Sequence, residues 1–131
     1  MIVAFLVATD SNHAAAHAWV DEQLVANRPL TAPSILIAEV AGSVSRATTQ
    51  VRGQRAISWL SAPGAFRLEP VTTGLAEAAA VTAVALGLKG CDSIYVELAI
   101  RTGQALVTFD REQLIRGGRV AQTYQPLAPP T

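Results

Sequence analysis

The stretch Lys89–Asp110, KGCDSIYVELAIRTGQALVTFD, constrains this chain more than any other. Asp92 and Ser93 precede a run in which Ile94, Leu98 and Ala99 fall at helical spacing, so Asp92 reads as a helix N-cap. Gly103 stops that helix. Ala105–Phe109 is short, apolar and partly β-branched, the pattern of a buried strand, and Asp110 follows at its carboxyl end. A helix of about ten residues runs roughly 15 Å, and a strand of about five returns roughly 16 Å. The chain goes out along one and back along the other. This predicts Asp92 and Asp110 near each other at the carboxyl end of a parallel sheet, where open α/β sheets bind ligands.

The rest of the chain alternates in the same way. Ile2–Val7 is a continuous apolar run that reads as a buried strand, though its length also allows a helix. A helix is expected over residues 13–27, with Trp19, Val20 and Leu24 turned inward. Pro29 and Pro33 bracket a short link, and Pro33-Ser34 opens a helix over residues 34–48. Leu36, Val40, Val44 and Ala47 form its buried stripe. Glu39 lies on the edge of that stripe, with Ser43 and Arg46 one and two turns on along the same side. A third helix covers residues 50–61, before Pro63-Gly64. Phe66–Val71 reads as a strand, and Thr72-Thr73 caps an alanine-rich helix running to Leu86. A short helix at Arg111–Ile115 and an edge strand at Val120–Tyr124 complete the pattern. The class is α/β, a small parallel β-sheet flanked by α-helices. Residues 1–124 form one domain, and the proline-rich tail 125–131 is expected to be flexible.

Bulk properties narrow the function. The chain has 131 residues, half of them hydrophobic, enough for one core. Its formal net charge is zero, so no global field draws it to nucleic acid or membrane, and a polyanion needs a local cluster. Nine of the ten basic residues are arginine, whose planar fork suits phosphate. A single cysteine excludes an internal disulfide framework and fits a reducing, cytoplasmic setting. Met1–Ala8 is apolar, but it has no basic leader and is too short to span a bilayer, so neither signal peptide nor membrane anchor is expected. The sequence shows no glycine-rich phosphate loop, no Ser/His/Asp arrangement and no aromatic platform for stacking bases.

Three acids stand apart: Glu39, Asp92 and Asp110. Each falls where a segment meets the core or the sheet edge, not on a polar face. Carboxylates held together repel one another unless a cation neutralises them, and hard oxygen donors suit Mg2+ or Mn2+. Such a site can activate water and stabilise charge on a phosphate under attack. Taken singly, Asp92 is explained as a cap and Asp110 as a turn residue.

Four blocks resemble a known family: His13–Trp19 (HAAAHAW), Ala32–Val40 (APSILIAEV), Gly90–Ala99 (GCDSIYVELA) and Ala105–Asp110 (ALVTFD). They are similar to PIN domains, in the branch of the VapC toxins of bacterial toxin–antitoxin pairs. The resemblance covers nearly the whole chain, and the last two blocks are the more specific. It implies a PIN-like parallel sheet between helices and an Mg2+- or Mn2+-dependent endoribonuclease, usually a homodimer inhibited by a cognate antitoxin. The family's metal-binding acids map onto Glu39, Asp92 and Asp110, and Thr108 matches the hydroxyl residue the family places at the site. The sequence also departs from the family. The family opens with a strand ending in an acid, in a D-x-S-like motif, just before a helix that Ile2–Leu6 resembles, and Met1 falls at about the serine of that motif. Either the coding start lies further upstream, or the natural protein is truncated, or Ile2–Val7 replaces the strand and leaves Asp10 near its carboxyl end. Asp10 does not align with the family acid and reads first as a helix cap. The alternative function is a catalytically impaired PIN-like module that binds an antitoxin or RNA without cleaving it.

Other residues carry weaker signals. Glu97 is either an auxiliary acid or the partner of Arg101 at i+4, with the pair preferred. His13, His17 and Asp21 share a helix face, a zinc-like spacing that an exposed polar face also explains. Cys91 next to a helix start reads as a small packed residue. Arg46, Arg111 and Arg116 are candidates to hold RNA phosphates, Arg46 first among them.

Overall fold

A computed structural model describes residues 1–130. The chain divides into two compact units, one of Met1–Glu69 with the chain from Leu127 on, the other of Pro70–Pro126.

The first unit runs α1 (Ile2–Leu6), α2 (His13–Val25), β1 (Leu30–Pro33), α3 (Leu36–Ala47), α4 (Gln50–Ser61) and β2 (Phe66–Glu69). Its opening decides between the readings the sequence left open, in favour of a helix. Ile2–Leu6 is helical, with the Val7 amide bonded to Val3, so the run does not serve as a strand. Six apolar residues satisfy either periodicity, and here the local i−4 bonds win. Asp10 therefore follows a helix. Its carboxylate accepts the Asn12 amide at 2.8 Å, and its carbonyl accepts that of His13, so it shapes the turn into α2. Val20 is fully buried in α2, but Leu24 is 37 % exposed, because the last turn of the helix runs out past the core.

β1 and β2 pair in parallel, Leu30 opposite Phe66 and Pro33 opposite Glu69. The link between the prolines is thus a strand. Leu30 and Ser34 donate their amides to Ala65 and Glu69, at 2.9 and 2.8 Å. The bonding amides are the even-numbered ones, so the missing N–H of Pro33 falls on the side away from β2 and costs the ladder nothing. β2 ends at Glu69, two residues short of the expected Val71. α3 buries Leu36, Val40, Ala41 and Val44, and α4 buries Gly53, Ala56 and Leu60. The two helices approach closely at Gly53, where a Cβ would stand 2.8 Å from the Ser45 Cβ and 3.1 Å from the Ala41 carbonyl oxygen. Thr49 caps α4 by accepting the Arg52 amide at 3.2 Å.

The second unit runs α5 (Thr73–Leu86), α6 (Gly90–Thr102), β3 (Leu106–Val107), a π-helix (Gln113–Gly117) and β4 (Thr123–Tyr124). Thr72 caps α5 through the Leu75 amide, as its sequence suggests. Gly87 ends α5 at φ +67°, a conformation glycine adopts without strain. The chain then turns through 108° into α6. Arg116 holds this corner from outside: its guanidinium donates to the Gly87 carbonyl and pairs with Glu112 at 3.6 Å. Val96 and Ala99 of α6 pack with Leu88 and Leu106, and Tyr95, Leu86 and Ala121 close over them. β3 and β4 pair in parallel, Leu106 opposite Thr123. The expected α/β class, helices with parallel strands, is what forms, with the strands in two pairs. No single helix among the described residues is long and apolar enough to cross a membrane.

Candidate functional site

Asp92 is not the N-cap of α6. Lys89 takes that position without a side-chain bond, and Asp92 lies in the first turn, half-buried. A carboxylate there still faces the positive end of the helix dipole and its unpaired amides. Ser93 behind it has no exposed surface and donates its hydroxyl to the Gly90 carbonyl at 2.7 Å, which fixes the turn.

Asp110 does act as a cap. Its Oδ1 accepts the Gln113 amide at 2.8 Å, and its carbonyl accepts that of Leu114, opening the helical turn that continues as the π-helix. The side chain is otherwise exposed. Asp110-Arg111-Glu112-Gln113 is the sequence of a capping box, in which the fourth residue reaches back to the amide of the first. Here a hydroxyl is interposed. Thr108 Oγ1 accepts the Asp110 amide at 3.0 Å and donates to Gln113 Oε1 at 2.6 Å.

Gln113 is the residue the sequence reading passed over. It is only 6 % exposed, and it touches every part of this corner. Its amide holds the Asp110 carboxylate, its Oε1 holds Thr108, and its Nε2 donates to the Asp92 carbonyl at 3.3 Å. Asp92 and Asp110, eighteen residues apart in sequence, thus both bond one buried residue, Asp92 through the Gln113 side chain and Asp110 through its backbone amide. The signal in the sequence was the D-x-x-Q capping-box spacing. Insertion of the π-helix, common at functional sites, accompanies it.

The other candidates lie elsewhere in the chain. Glu39 is half-buried in the first turn of α3, in the first unit. Arg46, exposed in the last turn of α3, folds back to donate to Ser43 at 3.3 Å, which puts it on the side of the helix expected for Glu39, Ser43 and Arg46. Glu97 accepts from Thr82 at 3.0 Å and pairs with Arg101 at 3.4 Å, so both its oxygens are engaged as a structural partner. Arg116 is occupied at the α5–α6 corner, while Arg111 is exposed. His17 pairs with Asp21 at 2.7 Å, and His13 bonds the Ala4 carbonyl at 2.8 Å. Cys91 is a free and exposed thiol, not a packed residue. Its place in the second position of α6 turns it outward.

Within neither unit do the described residues bring three or more His, Cys, Asp or Glu side chains together as a metal centre. Each of Glu39, Asp92 and Asp110 is by itself an oxygen donor of the kind a hard divalent cation takes, and Asp110 keeps an exposed carboxylate held by the Gln113 backbone amide.

Paired parallel strands with covering helices define an α/β domain, and Asp110 lies just past the carboxyl end of β3. The family model for the PIN domain matches residues 1–118. The chain belongs to the PIN domain family, whose members are generally metal-dependent nucleases. No curated protein matches the chain.

Proposed function

We propose that the chain is an Mg2+- or Mn2+-dependent endoribonuclease of the VapC toxin type that hydrolyses RNA phosphodiester bonds. The observation that most supports this is the buried Gln113, which ties the Asp92 backbone, the Thr108 hydroxyl and the Asp110 carboxylate into one rigid corner. Buried polar networks of this kind hold charged groups in fixed directions. Glu39, Asp92 and Asp110 would hold the cation, which when bound supplies an activated water and neutralises charge on the phosphate. The chain's own residues do the rest. Thr108 and Gln113 orient Asp110, and the exposed Arg46 would hold an RNA phosphate.

The same reading takes a cognate antitoxin and a second copy of the chain as partners, in the cytoplasm. The alanine-rich α5 leaves Val81 and Val84 70 % and 87 % exposed, apolar surface of a kind that partners cover. An exposed free thiol at Cys91 suits a reducing compartment.

A second reading is favoured by one observation: neither unit alone contains a complete set of metal ligands among its described residues. On that reading the chain binds antitoxin or RNA without cutting. Incubation with RNA in Mg2+ and in Mn2+ separates the two. For an enzyme, Asp92→Asn lowers cleavage at least about a hundredfold, the scale on which catalytic electrostatics act. No cleavage by the wild-type chain with either ion, alongside retained RNA or antitoxin binding, selects the second reading.

A further inference from the structure

His13 and His17 stand one helical turn apart on α2, and their Nδ1 atoms are both engaged. His13 Nδ1 lies 2.8 Å from the Ala4 carbonyl oxygen of α1. His17 Nδ1 lies 2.7 Å from Asp21 Oδ2. A carbonyl and a carboxylate only accept, so each Nδ1 carries the proton, and in each neutral ring Nε2 is left with its lone pair. This is the arrangement that orients imidazole for a metal: one nitrogen held by an acceptor, the other presented. The i, i+4 spacing is that of the paired histidines in helical zinc motifs.

Ring separation agrees. The two centroids are 5.5 Å apart, with planes at 64°. Two imidazoles on one tetrahedral ion, with metal–nitrogen bonds of about 2.1 Å, have centroids roughly 5 Å apart. Phe5 lies tilted against His17 at 5.1 Å and stacks in turn on Trp59 at 5.4 Å, so the His17 ring is braced by an aromatic neighbour. The His17 side chain is half exposed, which gives an ion access from solvent.

We propose that His13 and His17 form a two-histidine site on α2 for a borderline divalent transition ion such as Zn2+, with water completing the coordination. Asp21 is not a ligand but the positioning residue for His17, so the triplet spacing in the sequence resolves into two ligands and one support. The site is chemically distinct from the carboxylates of Glu39, Asp92 and Asp110, because imidazole nitrogen selects transition ions and oxygen selects Mg2+.

Calorimetric titration of the untagged chain with Zn2+ alone, in excess Mg2+, tests this. One site is expected. His17→Gln and His13→Gln should each weaken it by at least about tenfold, and Asp21→Asn by roughly tenfold, the usual loss when the support of a metal-binding histidine is removed. Cys91→Ala should leave it unchanged. Absence of zinc binding, or binding that survives both histidine substitutions, overturns the site. Because His13→Gln also removes the bond to α1, a second measurement uses the wild-type chain. Long-range nitrogen–proton NMR should show both free rings protonated at Nδ1, with Zn2+ shifting the Nε2 resonances of His13 and His17. Zinc binding that leaves both Nε2 resonances in place overturns it as well.

Discussion

Both units of this chain bury apolar side chains, but they differ in what else they bury. In the first, the buried side chains are apolar: Val20, Val44 and Leu60 are at most 2 % exposed, and α3 and α4 close on each other over Gly53. In the second occur the three buried polar residues found among the described residues, Ser93, Thr108 and Gln113, each with hydrogen bonds made. An apolar core is tolerant of direction, since dispersion and hydrophobic burial do not specify angles. A buried hydrogen-bonded core costs more to assemble but fixes geometry. The polar residues lie where Asp92 and Asp110 are held. Packing stabilises both halves of the molecule, and in the second, hydrogen bonding also aims it.

Four substitutions break or sharpen that contrast, and on stability they rank from the apolar unit to the polar one. Leu60→Ala should cost the most, about 2–5 kcal/mol by urea unfolding, through lost burial and the cavity left behind. Gln113→Leu should cost less, about 1–3 kcal/mol, because it strands the buried Thr108 hydroxyl without its acceptor. Cleavage should nonetheless fall further for Gln113→Leu than for Leu60→Ala, measured below the unfolding transition of both. Asp110→Ala removes a cap and should cost about 1 kcal/mol. Asp110→Asn should change stability by less than about 0.5 kcal/mol, since asparagine caps as well as aspartate does. It should still abolish metal-dependent cleavage, because the charge is gone. If Asp110→Asn cleaves RNA like the wild type, Asp110 is a cap and nothing more.

Much of this was legible in the sequence, and for local reasons. α4 spans Gln50–Ser61 and α5 ends at Leu86, as their caps, glycine and proline indicate. The return of the chain from Asp92 to Asp110 follows from the lengths of one helix and one strand, and Gln113 closes it. The misses have equally local causes. β1 is four residues between prolines, too short to show alternation, and its tolerance of Pro33 depends on which amides face β2. Ile2–Leu6 is apolar without period. Asp92 sits within the first turn and not ahead of it, a shift inside the usual uncertainty of helix ends. Gln113 was overlooked because a glutamine in a polar stretch reads as surface: the D-x-x-Q spacing marks a helix start, but not the bonds to Thr108 and Asp92 that go with its burial.

The guanidinium of Arg116 over the corner at Gly87 has an evolutionary consequence. It is a clasp closed from a later part of the chain, bonding a backbone carbonyl while also paired with Glu112. Lysine, with a single point charge, cannot make both contacts in the same geometry. The connection from Gly87 to Gly90 is therefore fixed in length: one residue gained or lost there would carry Asp92 away from Gln113. The exposed bend at Arg119–Val120 is instead held by local amide bonds to the Arg116 and Gly117 carbonyls. Insertions and deletions among relatives should accumulate at that bend and be purged at the clasped one.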